Sequence, residues 1–223
     1  MMTVCFILQF AVNPVLFLLL YSFLRFKYRN GDFSLFFKVF IIGLLSILVV
    51  MLADWIIHKA GLDSLHSFHR TLFYAFVLTA GLFELIKFLI IRLVTYKDNR
   101  FVSISDGIVY SLVAALGFTS SYSIYAYFFP PEFVKPCTYA WSIGPAVLSI
   151  ATVMGFFFGI AQKRRNSFID ILTGLSAAIV LHGVYRFCLL YNDNTLLLMS
   201  LIAMSVIAIT LIVRAVRTSQ SSA

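Results

Sequence analysis

Long apolar runs recur along the chain, and short clusters of charged residues separate them. They lie at about 4–24, 35–57, 71–93, 107–128, 139–160, 168–190 and 195–213. A helix needs about 20 apolar residues to cross a bilayer, and a backbone in lipid must satisfy its own hydrogen bonds. The pattern therefore predicts an all-α, polytopic membrane helical bundle with about seven transmembrane helices. Residues 1–223 are expected to form a single integral-membrane domain.

Composition excludes the soluble classes of protein. Of the 223 residues, 61% are hydrophobic and 12% are charged, about half the charged fraction of an ordinary soluble domain. The net charge of +8 does not indicate a nucleic-acid partner, because the basic residues occur in small groups between apolar runs. Nucleic-acid binding would need a continuous basic face with interleaved aromatic rings. We therefore expect the chain to lie in a lipid bilayer and to bind no nucleic acid.

Basic residues are divided unequally between the two sets of predicted loops. Twelve lie on one side and three on the other, while Lys87 and Arg186 fall inside apolar runs. Cytoplasmic loops carry the excess of Lys and Arg in membrane proteins. The distribution predicts an amino terminus outside the cell and a carboxyl terminus in the cytoplasm.

Cysteine and histidine spacing gives no indication of a metal or another cofactor. The three cysteines, Cys5, Cys137 and Cys188, fall near the predicted outer side and match no zinc or thioredoxin spacing. A disulfide there is allowed, although the odd number leaves at least one cysteine free. Three of the four histidines lie in the predicted outer loop 58–69, again without a standard metal-binding spacing.

Ionisable residues within apolar runs are candidate functional groups, because hydrocarbon disfavours them by several kcal/mol unless they are paired or hydrated. Glu84 and Lys87 lie in the third run, and His182 and Arg186 lie in the sixth. Arg186 is near enough to the outer face for its guanidinium to reach water. The helical rise places Glu84 about 13 Å and His182 about 22 Å above the cytoplasmic ends of their helices, so contact is allowed but not required. Glu84 could equally neutralise Lys87 one turn away.

Small residues at four-residue spacing predict two helix faces that point into the bundle, because such residues let helices approach closely. We accordingly expect His182 to face the third and fourth helices and not lipid. The fifth and sixth runs carry these stripes at Ala151, Gly155, Gly159, and at Gly174, Ala178, His182.

Four segments occur in an order and spacing that resemble one family of membrane proteases. They read Phe83-Glu84-Leu85-Ile86-Lys87, Phe118-Thr119-Ser120-Ser121-Tyr122-Ser123, Gly155-Phe156-Phe157-Phe158-Gly159 and His182-Gly183-Val184-Tyr185-Arg186. The chain resembles the PrsW family of glutamic-type intramembrane proteases, which are distant relatives of the CAAX-processing and bacteriocin-processing membrane proteases. The similarity runs from about residue 11 to 190.

The resemblance includes departures at the residues that carry the chemistry. The family motif Glu-Glu-x-x-Lys has Phe83 in place of its first Glu. In Phe-x-x-x-Glu-Asn, the last two residues have become Tyr122 and Ser123. The family's third-segment His falls near Val147, and the acid or amide that follows His-x-x-Tyr has become Arg186.

The resemblance implies a location in a bacterial inner membrane and an active site in which carboxylates and histidines activate a water. The catalytic pair would be Glu84 as general base and His182 as its partner, with Lys87, Tyr122 and Arg186 as neighbours. Phe83 cannot share a proton with Glu84.

Three hypotheses about function follow. The first is a catalytically impaired pseudoprotease, which keeps the bundle and binds a transmembrane segment of another membrane protein without cutting it. The second is an active glutamic-type protease that uses Glu84 and His182. The third is a transporter or channel subunit whose buried polar groups line a path, although the sequence contains no pair of broken helices or inverted repeat.

Overall fold

The computed structural model describes residues 11–22, 33–129, 135–164 and 167–220, and within these ranges the chain forms helices and no strands. The prediction of an all-α membrane bundle is confirmed. In chain order the helices are α1 (Ala11–Ser22), α2 (Ser34–Leu45), α3 (Ile47–Lys59), α4 (Phe68–Phe73), a first π-helix (Tyr74–Gly81), α5 (Leu82–Ile90), a second π-helix (Ile91–Thr95), α6 (Ile104–Phe128), α7 (Pro136–Lys163), α8 (Ser167–Tyr191) and α9 (Asn194–Gln220).

Each of the seven predicted runs contains helix, although two of them are more complex than predicted. The second run is divided at Ser46, whose hydroxyl donates to the Gly43 carbonyl at 2.5 Å. The third run is a continuous composite helix over residues 68–95, in which α- and π-helical stretches alternate.

Five helices in the described residues are long and apolar enough to cross a membrane, so the predicted count of seven is approximate. The composite helix and the shorter α1 are additional apolar helical segments. The five are Ser34–Lys59, Ile104–Phe128, Cys137–Lys163, Ser167–Tyr191 and Asn194–Thr218.

Helices α6 and α7 form the centre of the bundle and contact each other most extensively. Gly107 of α6 lies directly against Gly155 and Gly159 of α7, where a Cβ on Gly107 would lie 2.7 Å from the Gly159 nitrogen. Any larger side chain here would push the two backbones apart. The predicted inward face of the fifth run is confirmed by this contact.

Helix α8 packs against α7 on one side and against the first π-helix on the other. Gly174 and Ala178 face inward, with the Phe157 side chain against Gly174 and Ala178 fully buried. Gly183 lies against the ring of Phe76. This arrangement holds the composite helix close to α8 at the level of His182.

The described cysteines differ in state. Cys137, at the start of α7, is disulfide-bonded, whereas Cys188 is a free, buried thiol. Cys5 lies outside the described residues.

Candidate functional site

The composite helix positions the first two site residues. Glu84 and Lys87 lie on α5, which directly follows the first π-helix. In a π-helix the hydrogen bonds run from residue i to i+5, which changes the direction of the side chains that follow. The Thr79 hydroxyl lies within reach of two successive carbonyls there, those of Tyr74 at 3.0 Å and Ala75 at 2.9 Å. Single-turn π-bulges occur frequently at functional sites.

The carboxylate of Glu84 connects the composite helix to α8. Its Oε1 accepts a hydrogen bond from the Lys87 ammonium and lies 2.6 Å from His182 Nδ1. The exposed fractions of Glu84, Lys87 and His182 are 0%, 4% and 9%. The second oxygen, Oε2, is buried and has no hydrogen-bond partner in the described part of the chain. Glu84 therefore contacts both Lys87 and His182, the two partners that the sequence allowed without requiring either.

The heights of Glu84 and His182 along their helices account for the contact between them. The composite helix ends at Thr95, which places Glu84 about 16 Å above its end. His182 lies about 22 Å above the start of α8 at Ser167. The remaining difference of about 6 Å is within the combined reach of the two side chains. The expectation that His182 faces the third helix and not lipid is confirmed.

An aromatic cluster encloses the polar centre. The ring centroid of Phe83 lies 5.0 Å from that of Phe118, 5.1 Å from Tyr122 and 5.8 Å from His182. The Lys87 ammonium lies 5.6 Å from the Phe118 centroid, so this ring stabilises the cation in addition to Glu84. Apolar rings thus occupy the space beside the carboxylate.

Four of the five residues that depart from the family motifs line one cavity. Its volume, counted as the space in which a water centre fits, is about 20 Å³. On this measure a water needs at least about 10–15 Å³, so the cavity holds roughly one water. The residues relevant to the site that line it are Phe83, Lys87, Tyr122, Val147, His182 and Arg186.

A second cavity of about 20 Å³ adjoins the first and contains an acidic residue that the sequence analysis did not select. Asp54 of α3 lines it together with Tyr125 of α6, whose hydroxyl donates to Asp54 Oδ2. Phe83, Tyr122 and Arg186 line both cavities. The position of Asp54 within the second apolar run was the signal that could have identified it, since acidic residues are rare in transmembrane helices.

Arg186 faces inward and does not extend to the outer surface, contrary to the expectation from its position near the helix end. Its side chain is 5% exposed, and its Nε has no hydrogen-bond partner among the described residues. Arg186 and Tyr122 line the same two cavities. Inward packing of α8 against α7 and the composite helix explains the burial.

The structure therefore brings together all five residues that the sequence selected. Glu84, Lys87 and His182 are in direct contact. Tyr122 and Arg186 lie across the cavity lined by Lys87 and His182. The outer histidines form no part of this site, and His58 instead lies 2.7 Å from an oxygen of Asp63 at the surface.

Comparison with known proteins shows which family the chain resembles. The family described as "PrsW family intramembrane metalloprotease" matches residues 32–132, which include Glu84, Lys87 and Tyr122. Protease PrsW of Shouchella clausii is 28% identical to this chain over 181 residues, which are 80% of this chain and 81% of that protein.

Two further relatives extend the match over most of the chain. Protease PrsW of Geobacillus kaustophilus is 25% identical, covering 82% of this chain and 80% of its own. Protease PrsW of Bacillus subtilis is 24% identical, covering 84% of both chains. Over about four fifths of its length the chain is similar to proteases of the PrsW family. No solved structure gives a significant match to this chain.

The word metalloprotease in the family description implies a metal, and the described residues of this chain do not fit one. A catalytic zinc takes three protein ligands and keeps a fourth position open. The described residues contain no group of three or more histidines, cysteines or acidic residues that could hold a metal. Glu84 and His182 supply two donors, and the Lys87 ammonium already bonds the carboxylate oxygen. Two donors are fewer than the three protein ligands of a catalytic zinc, and the adjacent ammonium disfavours a second cation at this carboxylate.

Proposed function

We propose that this PrsW-family membrane protein is a catalytically impaired intramembrane protease homologue that binds a transmembrane segment of another membrane protein. The observation that carries the proposal is the double engagement of Glu84 Oε1, by the Lys87 ammonium and by His182. A general base must be free to accept a proton from the attacking water. A carboxylate held in a buried ion pair is a poor base, because protonating it would leave the ammonium without a partner.

The other positions around the cavity supply no second acid–base group. Phe83, Tyr122 and Val147 stand where the family resemblance would place two glutamates and a histidine. A properly placed acid or base contributes about 10²–10⁴ in rate, and several are replaced together here. Packed aromatic and apolar side chains thus occupy the positions from which acid–base groups would transfer protons.

A separation between helices supports the binding part of the proposal. Helix α3 packs mainly on α6 and α2, and its contact with the composite helix is slight. The second cavity lies between these elements, with Val50 and Ile57 of α3 on one side and Tyr74 and Leu78 of the first π-helix on the other. A partner helix entering between α3 and the first π-helix would reach Phe83 and the site behind it.

An active glutamic-type protease is the second candidate, and the contact of 2.6 Å between Glu84 and His182 favours it. In that mechanism Glu84 takes a proton from water while the water oxygen bonds to the peptide carbon. The proton then passes to the leaving nitrogen, with His182 stabilising the negative charge that develops on the carbonyl oxygen.

Reconstitution distinguishes the two functions. The full-length protein is placed in liposomes with candidate single-span membrane proteins, and cut products and co-purification are measured. We expect co-purification without cleavage. Cleavage that disappears in both Glu84→Gln and His182→Ala, with both variants still folded, would establish the active protease. Arg92→Gln is the matched control, because Arg92 lies on the second π-helix and stacks on Tyr96 away from the site.

The proposal places the protein in a bacterial inner membrane with its amino terminus outside and its carboxyl terminus in the cytoplasm. The twelve-to-three distribution of basic residues supports this orientation. The disulfide at Cys137 supports it as well, since this residue lies at the proposed outer end of α7 and disulfides persist outside the cytoplasm.

A further inference from the structure

Arg186 is a buried cation that pairs with neither of the nearby carboxylates. Glu84 binds Lys87 and His182, and an oxygen of Asp54 accepts the hydrogen bond of Tyr125. Arg186 makes no ion pair with any carboxylate of the described residues, and its Nε–H donates to no acceptor there. Its side chain is nevertheless buried between α6, α7 and α8.

Arg186 has no ion-pair contact comparable to that of Lys87. Glu84 and Lys87 neutralise each other, and the half-buried Asp54, which lines the second cavity together with Arg186, balances the guanidinium charge without forming an ion pair with it. The hydroxyls around Arg186 belong to tyrosines, which provide dipoles but no negative charge. They are Tyr74, Tyr122, Tyr139 and Tyr185. A cation in this setting is stabilised by an anion that enters the site.

The space beside Arg186 has the chemistry of a carboxylate site. Arg186 lines two adjoining cavities, and each has room for roughly one water, the space that one carboxylate oxygen would take. A guanidinium offers paired N–H donors whose planar geometry matches a carboxylate. Tyr122 lines both cavities and offers a hydroxyl donor, and Lys87 lines the first.

We propose that the cavity beside Arg186 binds a carboxylate group. Small free carboxylates would enter it, and a partner segment would place its carboxyl terminus there. Only the second statement rests on the proposed function, because binding of a free carboxylate requires no partner. Arg186 thereby gives the site a preference for the carboxyl terminus of a peptide chain over its amino terminus.

Labelled formate tests the site directly. The full-length protein is placed in nanodiscs of neutral phosphatidylcholine, and ¹³C-formate is titrated at constant ionic strength while its line width is followed. We expect saturable broadening with the unaltered protein and with the Arg92→Gln control. Arg186→Gln should weaken binding roughly 10- to 100-fold, the factor that a charge-assisted hydrogen bond represents. Broadening that is absent, or equal in Arg186→Gln, overturns the proposal.

Tyr122→Phe provides a second test of the site, which remains informative if Arg186→Gln does not fold. It removes one hydroxyl donor and should weaken formate binding roughly five- to tenfold, the factor expected for one neutral hydrogen bond. Equal formate binding in Tyr122→Phe and the unaltered protein would contradict the assigned position of the carboxylate.

Two hydrophobic peptides distinguish the sources of the carboxylate. They have one sequence, and one ends in a free acid and the other in an amide. We expect the acid to displace formate at a concentration at least roughly tenfold lower than the amide does. Equal binding of both peptides without displacement of formate would support the proposed partner function and overturn the assignment of the partner's terminus. Formate binding without any peptide binding would support the carboxylate site and contradict the partner function.

Discussion

The ammonium of Lys87 and the carboxylate of Glu84 pair with each other one helical turn apart on α5, and both side chains are buried. Removing two charges from water costs several kcal/mol for each ion, and their attraction offsets this cost only while both are present. The pair therefore links the stability of the bundle to the chemistry of its site.

Single substitutions in this pair should destabilise the protein far more than the double substitution. We expect Lys87→Met or Glu84→Gln alone to lower the free energy of unfolding by about 3–5 kcal/mol, because each leaves a buried polar group without its partner. The double variant should lose much less. Reversible unfolding in bicelles, analysed as a double-mutant cycle, measures the coupling.

The exposed pair of Arg164 and Asp170 provides the comparison. Arg164 Nη1 lies 3.2 Å from Asp170 Oδ1, and the arginine side chain is largely exposed. Asp170→Asn should change the free energy of unfolding by less than about 1 kcal/mol. Equal effects at the two pairs would contradict the burial of Glu84 and Lys87.

A carboxylate should be tolerated better at position 122 than at position 83. Tyr122→Glu places an acid beside the Arg186 guanidinium, whereas Phe83→Glu places one next to Glu84 and among aromatic rings. We expect the free energy of unfolding to fall by at least about 2 kcal/mol less for Tyr122→Glu, because a paired buried charge is less costly than an unpaired one.

Leucine variants at positions 83 and 122 separate the effect of the added charge from the effect of losing the aromatic ring. Phe83→Leu and Tyr122→Leu remove the rings without adding charge, and their effects on the free energy of unfolding are subtracted from those of the glutamates. If the remaining loss is equal at both positions, Arg186 does not act as the counter-ion of residue 122.

Because α6 and α7 approach closely at Gly155 and not at Gly144, alanine substitution should lower the free energy of unfolding at the first of these glycines and not at the second. Gly155→Ala would place a methyl group against the backbone of Gly107, which neither helix can avoid without moving. We expect a loss of about 1–3 kcal/mol in the free energy of unfolding from overpacking. Gly144→Ala in the same helix meets nothing within 4 Å and should be neutral or stabilising by up to about 1 kcal/mol. A neutral Gly155→Ala would contradict the close approach.

The orientation in the membrane is directly testable. Reporter fusions after residues 62 and 217 should give an outside and a cytoplasmic signal respectively, because basic residues concentrate on the cytoplasmic side. The opposite result at either fusion would overturn the orientation and every assignment of a loop to one side.

The sequence predicted the helices well because apolar length is a local property. The contact between Glu84 and His182 was only allowed by the helical rise, since rise gives the height of a residue and not the direction in which it faces. The π-helices were not predicted, because their hydrogen-bond register depends on packing as well as on composition, and the first of them packs against α8. Asp54 was missed because the apolar pattern around it indicated lipid, whereas its partner Tyr125 lies 71 residues further along the chain.

The first π-helix carries about one residue more per turn than an α-helix does. Deleting one residue between 74 and 81 would therefore let this stretch become an ordinary α-helix while the later side chains keep roughly their present directions. Conversion to an α-helix at unchanged length would instead turn every later side chain by about 100°, and Glu84 would move away from His182 although every residue of the motif would remain. During evolution, a single codon lost from this stretch could thus be accommodated without separating the two halves of the site.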